Sequence, residues 1–197
     1  MKLIKSSEGS IANDTQILGE VFLDRYSCVT RSILGGYNGI GSFSYVRNSK
    51  IGRYTHFGSR VSVGGAAHPL DWVSIASFQY RNDCWQNKMS VLSFEEGNGT
   101  EIGNDVWIGD NAVVVSGVKI GSGCVVGAGS IVTKDLQPYT IAVGNPARVL
   151  RMRFDELTAE RLLETQWWKK NPDDLDGLPL NEPENFVVEY WRRFKMP

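Results

Sequence analysis

The sequence predicts a mainly β chain wound as a parallel β-solenoid, and three observations carry that prediction. A branched aliphatic residue returns every six positions across residues 102–136: Ile102, Ile108, Val114, Ile120, Val126 and Val132. A second apolar or small residue stands two places before each of the later ones, at Val106, Ala112, Val118, Cys124 and Ser130. Glycine follows the aliphatic residue at Gly103, Gly109, Gly121 and Gly127. Side chains two apart share one face of a strand. Each hexad therefore reads as a very short strand with two inward side chains and then a bend. No helix has a period of six. Consecutive hexads are the mark of stacked coils, and the glycines fall where the bend calls for positive φ.

Taken in order, residues 11–34 carry a looser form of the repeat. Ile11, Ile17, Leu23 and Val29 are six apart, with Thr15, Val21 and Ser27 as inner partners. The register slips around residues 34–39, restarts at Ile40, and passes a shortened turn to Ile51. Such slips suit first coils that are imperfect or act as a cap. From Ile51 the hexads are regular through His68. They stop there and resume at Ile102. The insertion, residues 69–100, holds the aromatic residues Trp72, Phe78, Tyr80, Trp85 and Phe94. A long loop on a regular scaffold is usually functional, although some of these rings are expected simply to pack on one another.

Past Leu136, Pro138 and Pro146 punctuate the end of the repeat. Thr158 is read as the N-cap of a helix that puts Leu162, Leu163 and Trp167 on one side. Residues 171–182 read as a turn-rich link. A second helix is expected near 184–194, with Phe186, Val187, Tyr190 and Trp191 as an apolar packing stripe. The expected division is a solenoid over residues 1–153 and a helical extension over 154–197.

The 197 residues suffice for one domain with an appendage. A formal net charge of −1 argues against a nucleic-acid binder. No apolar run is long enough to span a membrane, and the first residues lack the apolar core of a signal peptide, which favours the cytoplasm. Cys28, Cys84 and Cys124 have no metal spacing. Cys124 occupies an inward position and reads as a core thiol. Cys84 suits an ordinary loop thiol better than a nucleophile.

The chain has two histidines, His56 and His68. Each closes a hexad and should point outward near a corner, and His68 stands where the solenoid gives way to the loop. An imidazole can take the proton of a hydroxyl that would otherwise be a poor nucleophile. By the residues alone, His68 as a base competes with His68 as a surface histidine. Asp71 competes in the same way between orienting that ring and a solvated loop carboxylate.

The tandem hexads resemble those of left-handed parallel β-helix acyltransferases, in which three hexads make one triangular coil. That resemblance implies the left-handed coiling, against the usual crossover rule. Several segments narrow it: A-A-H-P-L-D-W-V-S, D-V-W-I-G, G-A-G-S-I-V-T-K-D, P-Y-T-I-A-V-G-N-P-A-R and the W-W tail. Over residues 40–170 they resemble the xenobiotic acetyltransferases, which include type B chloramphenicol and streptogramin acetyltransferases and many polysaccharide O-acetyltransferases. The resemblance implies direct acetyl transfer from acetyl-CoA to a hydroxyl, with His68 as general base and no acyl-enzyme. It implies a pantetheine groove lined by Trp107, Gly109 and Ala128. Thr133, Lys134, Arg148 and Arg151 would lie where phosphate and adenine sit. It also implies a homotrimer with sites between subunits. Trp72, Phe78 and Tyr80 are the candidates for the acceptor site. One departure stands out: many members carry a further histidine where this chain has Ala76, which bears on the acceptor pocket.

The acceptor is expected to be a sugar or a polysaccharide precursor, with an antibiotic hydroxyl as the alternative. The γ-type carbonic anhydrases share the scaffold but need three zinc-binding histidines. A non-catalytic assembly scaffold would need neither the loop nor CoA.

Overall fold

The computed structural model describes residues 4–81, 91–94, 97 and 99–194. Short strands stack into three parallel sheets that form the walls of a triangular, left-handed coil. The first wall runs Ile4–Ser6, Val21–Leu23, Asn38–Ile40, His56–Phe57, Trp107–Ile108, Val125–Val126 and Thr140–Val143, and Arg148–Met152 closes it antiparallel. The second wall runs from Ile11–Asn13 to Ile131–Val132, and the third from Gln16–Ile17 to Lys119–Ile120.

Strand register turns the sequence period into three inward columns. Leu23, Ile40, Phe57, Ile108, Val126 and Ala142 stack on the first wall. Val29, Val46, Val63, Val114 and Val132 stack on the second. Ile17, Leu34, Ile51, Ile102 and Ile120 stack on the third. All of these side chains are buried, and each contributes about 1.5–3 kcal/mol in apolar transfer, less for Ala142. Small polar residues at the inner corners satisfy the bends. Ser44 Oγ donates to the Gly58 carbonyl and Thr55 Oγ1 to the Gly103 carbonyl.

Sequence expectations about the coil are corrected at three points. The early coils do depart from the strict period, but by a shorter side rather than by a slip at residues 34–39. Val21 pairs with Asn38 and Cys28 with Tyr45, seventeen residues on, whereas Val113 pairs with Ile131, eighteen on. One side of each early coil is simply one residue shorter, as from Val29 to Leu34, and the columns continue without a slip. Ile11 is not inward. It pairs with Cys28 on the outer row and is 47% exposed, while Ala12 takes the register of buried Val29.

The repeat glycines are not selected for positive φ. The left-handed residues fall two places later, at Asp105, Asn111, Gly123 and Gly129. Gly109 is needed for close approach instead: a Cβ there would stand 2.6 Å from the Ala128 backbone nitrogen in the coil above.

After the coil, helix α1 (Glu156–Thr165) is capped by Asp155 rather than Thr158. Thr158 lies inside the first turn, donating its backbone N–H and its hydroxyl to the Asp155 carboxylate at 3.0 and 2.7 Å. These bonds hold the Asp155 carboxyl below the usual carboxylate range. The turn-rich link contains a short helix, α2 (Pro172–Leu175), and α3 spans Pro183–Phe194. Leu162, Leu175, Phe186, Val187 and Tyr190 bury against Tyr139 of the solenoid edge. Arg53 clamps the tail down. Its guanidinium donates to the Lys169 carbonyl and to Asn171 Oδ1 at 3.0 and 2.8 Å, beside the rings of Tyr37 and Tyr54. Among the described residues no helix is long and apolar enough to cross a membrane.

Candidate active site

Ser62–Val63 is this coil's strand in the second wall, and the chain leaves the coil after it, earlier than the hexad count places it. It returns at Thr100–Ile102, where Thr100 pairs with Ser49 and Ile102 with Ile51. The excursion therefore replaces one corner, between the second and third walls. His68 sits on this loop rather than at the end of a strand, and it is exposed.

The loop folds back on itself. Gln79 Nε2 donates to the Ser74 carbonyl at 2.7 Å, the Ala76 N–H donates to Ser74 Oγ, and Ser77–Gln79 forms one turn of 3-10 helix. That hook places the Ile75 carbonyl 2.8 Å from His68 Nδ1. A carbonyl only accepts, so Nδ1 carries a proton in this contact, and in the neutral ring the lone pair is then on Nε2. Tyr80 Oη also lies 2.9 Å from Nδ1. The Tyr80 ring is held by Phe94 and Trp72, with centroids at 4.8 and 6.0 Å, and Trp72 meets Phe94 at 5.8 Å.

Of the acceptor-site candidates, the fold brings Tyr80 beside His68 and Trp72 against Tyr80. Phe78 lies on the 3-10 turn, outside that ring cluster. Asp71 makes no hydrogen bond or ion pair among the described residues, so the solvated reading applies and the Ile75 backbone orients the ring. The sequence held no signal for that carbonyl, because every residue has one. Phe94 was visible only as one aromatic among several. Cys84 and Trp85 lie outside the described residues.

The remaining candidates lie on the outer face of the first wall and on the two edges of the second. Trp107 is 56% exposed on the outer face of the first wall. Its row continues through Val125 and Ile141 to Arg151, about 14 Å away at ~4.8 Å per strand. Gly109 and Ala128 stack at the edge between the first and second walls, and Arg148 joins that edge by pairing with Val143. Thr133 and Lys134 follow Val132 on the other edge of the second wall, the one from which the His68 loop leaves. Lys134, Arg148 and Arg151 are exposed and pair with no carboxylate among the described residues. Among the described residues the Arg148 and Arg151 side chains donate only to the neighbouring carbonyls of Ala147 and Met152. Cations with no carboxylate partner among the described residues fit a ligand that carries phosphates.

Two thiol and carboxyl groups lie elsewhere. Burial pushes the Cys124 thiol up to about 11, as expected of a core residue. Burial also raises the Asp105 carboxyl, although Arg153 lies 3.1 Å away and pulls it back down.

Residues 99–134 match the family model described as bacterial transferase hexapeptide, six repeats. The chain is 42% identical over 121 residues to a chloramphenicol acetyltransferase from Escherichia coli, covering 60% of this chain and 58% of that enzyme. It is 37% identical over 150 residues to a chloramphenicol acetyltransferase from Klebsiella aerogenes, covering 73% of this chain and 71% of that enzyme. Among solved structures it is similar to AntD, an N-acyltransferase from Bacillus cereus in complex with dTDP and 3-hydroxybutyryl-CoA. The TM-score there is 0.64 at 20% identity, covering 84% of this chain and 87% of that one, a likeness of fold. With the repeat, the loop histidine and these relatives together, the chain belongs to the hexapeptide-repeat acetyltransferases of the xenobiotic acetyltransferase subfamily, whose acetyl donor is acetyl-CoA.

Proposed function

We propose that the chain moves an acetyl group directly from acetyl-CoA to a hydroxyl of a small acceptor, with His68 as general base. The carrying observation is the Nδ1–Ile75 carbonyl contact of 2.8 Å, which leaves the Nε2 lone pair free. Nε2 takes the hydroxyl proton as the oxygen attacks the thioester carbonyl. The tetrahedral intermediate then expels the CoA thiolate, and the imidazolium returns the proton to sulfur. Trp107, Gly109 and Ala128 hold pantetheine in this reading, while Thr133, Lys134, Arg148 and Arg151 meet the phosphates and adenine.

The split of these residues over two edges supports a homotrimer. If the second wall faces the threefold axis, one protomer's edge with Gly109, Ala128 and Arg148 meets the neighbour's edge with Lys134 and the His68 loop. One outward row of that wall (Ile11, Cys28, Tyr45, Ser62, Val113 and Ile131) carries no charge, while the other, through Asn13 and Thr30, includes Arg47. The corresponding row of the third wall includes Lys50, Glu101 and Lys119. An acetyl-CoA-dependent reaction suits the cytoplasm.

A carbohydrate hydroxyl, free or on a polymer precursor, is the first acceptor reading, with Trp72 and Tyr80 as its wall. An antibiotic hydroxyl is the second, favoured by the chloramphenicol acetyltransferase relatives. The test is release of free CoA thiol from acetyl-CoA across chloramphenicol, a streptogramin A and free and nucleotide-linked sugars. Turnover with one acceptor should fall about 10²–10⁴-fold in His68→Ala. A variant with near-native turnover would remove His68 as the base.

A further inference from the structure

We propose that Tyr80 is a positioning residue for His68, its hydroxyl acting as a second acceptor for the Nδ1 proton; this rests on the reading of His68 as the base. The Ile75 carbonyl already fixes that proton on Nδ1, so the Tyr80 oxygen at 2.9 Å from the same nitrogen has to accept rather than donate. The Nδ1–H is shared between two oxygens, one from the backbone and one from a side chain.

The Tyr80 hydroxyl is aimed by its ring. Phe94 and Trp72 hold the phenol at centroid distances of 4.8 and 6.0 Å, and the His68 imidazole meets it edge-on at 6.5 Å. The aromatic cluster therefore does more than line an acceptor pocket: it delivers an oxygen to the face of the base turned away from the reaction. Two acceptors on Nδ1–H push electron density toward Nε2 and make it a better proton acceptor. When Nε2 takes a proton, the ring becomes cationic and both hydrogen bonds become charge-assisted, roughly twice as strong as before. Both oxygens are already in place, so the new charge is stabilised without rearrangement.

The test needs no acceptor. Diethyl pyrocarbonate acylates the free imidazole nitrogen, and the chain has only two histidines, so the rate at His68 can be followed by mass spectrometry with His56 as internal reference. Tyr80→Phe keeps the ring between Trp72 and Phe94 and removes the oxygen. The His68 rate should fall about two- to fivefold, within the range of one hydrogen bond, with the His56 rate unchanged. An unchanged or faster His68 rate would overturn the proposal, since a merely loosened loop would expose the ring and speed the reaction. An equal fall at both histidines would overturn it too. A second measurement uses the unsubstituted protein. The ¹⁵N shifts of neutral His68 should show the proton on Nδ1, and the opposite tautomer would refute the shared bond. Turnover of His68→Ala judges the base separately, so loss of one reading is distinguishable from loss of the other.

Discussion

Substituting two glycines separates the two reasons a repeat can demand that residue. At Gly109 an added Cβ would stand 2.6 Å from the Ala128 nitrogen, 2.9 Å from its Cα and 3.1 Å from the Gly127 carbonyl carbon. All three are backbone atoms of the next coil, so no side chain can swing away. Overpacking of this kind costs about 1–3 kcal/mol, and Gly109→Ala should carry that cost. Gly129 is the opposite case. Its φ is +68°, and nothing lies within 4 Å of an added Cβ. Asn111 holds the equivalent corner one coil earlier at φ 58°, and Arg60 another at φ 56°. Asparagine tolerates that region, so Gly129→Asn should cost a few tenths of a kcal/mol, roughly. Thermal unfolding followed by circular dichroism reads both. At about 2–4 °C per kcal/mol for a chain of this size, Gly109→Ala should lower Tm by roughly 2–12 °C and Gly129→Asn by about 1 °C. The reverse order would mean that the close approach at Gly109 is relieved at little cost and does not select that glycine.

Other expectations follow from single side chains. Lys134→Ala and Arg148→Ala should each weaken CoA binding, more at low salt than at high; calorimetric titration of CoA at two salt concentrations checks this, and unchanged affinity would take the residue out of the site. Cys124, its thiol pushed up to about 11 from 9.0 by burial, should react with a thiol reagent at pH 8 about a hundredfold more slowly than an ordinary thiol. Rapid modification of Cys124 in the folded protein would contradict its place in the core. Arg53→Ala removes two charged hydrogen bonds to the tail, at Lys169 and Asn171, each worth about 1.5–3 kcal/mol. Amide exchange should quicken in Pro183–Phe194 and stay unchanged at Ile108 and Val126; equal quickening at both would mean that the tail and coil open as one unit.

The period of six determined the walls by itself. A two-residue alternation fixes which side chains point inward, and Ile102, Ile108 and Val114 needed no partner to announce their columns. The same logic located the loop, because a break in a strict period is itself a signal. Arg53 carried no such signal as the clamp for a tail more than a hundred residues away. Thr158 and Asp155 are both good caps, and only the path of the chain chose between them.

The site divides in the same way. His68 could be singled out as a candidate because the chain has two histidines and one lies near the break in the repeat. Its orientation was not, because the Ile75 carbonyl that sets the tautomer is a backbone group that any residue would supply, placed by a hook of Ser74, Ala76 and Gln79. Nor could spacing show that Lys134 and Gly109 lie on different edges of the prism. Residue identity states what chemistry a side chain can perform; the three-dimensional path of the backbone decides which side chains meet and which nitrogen of a histidine is left free.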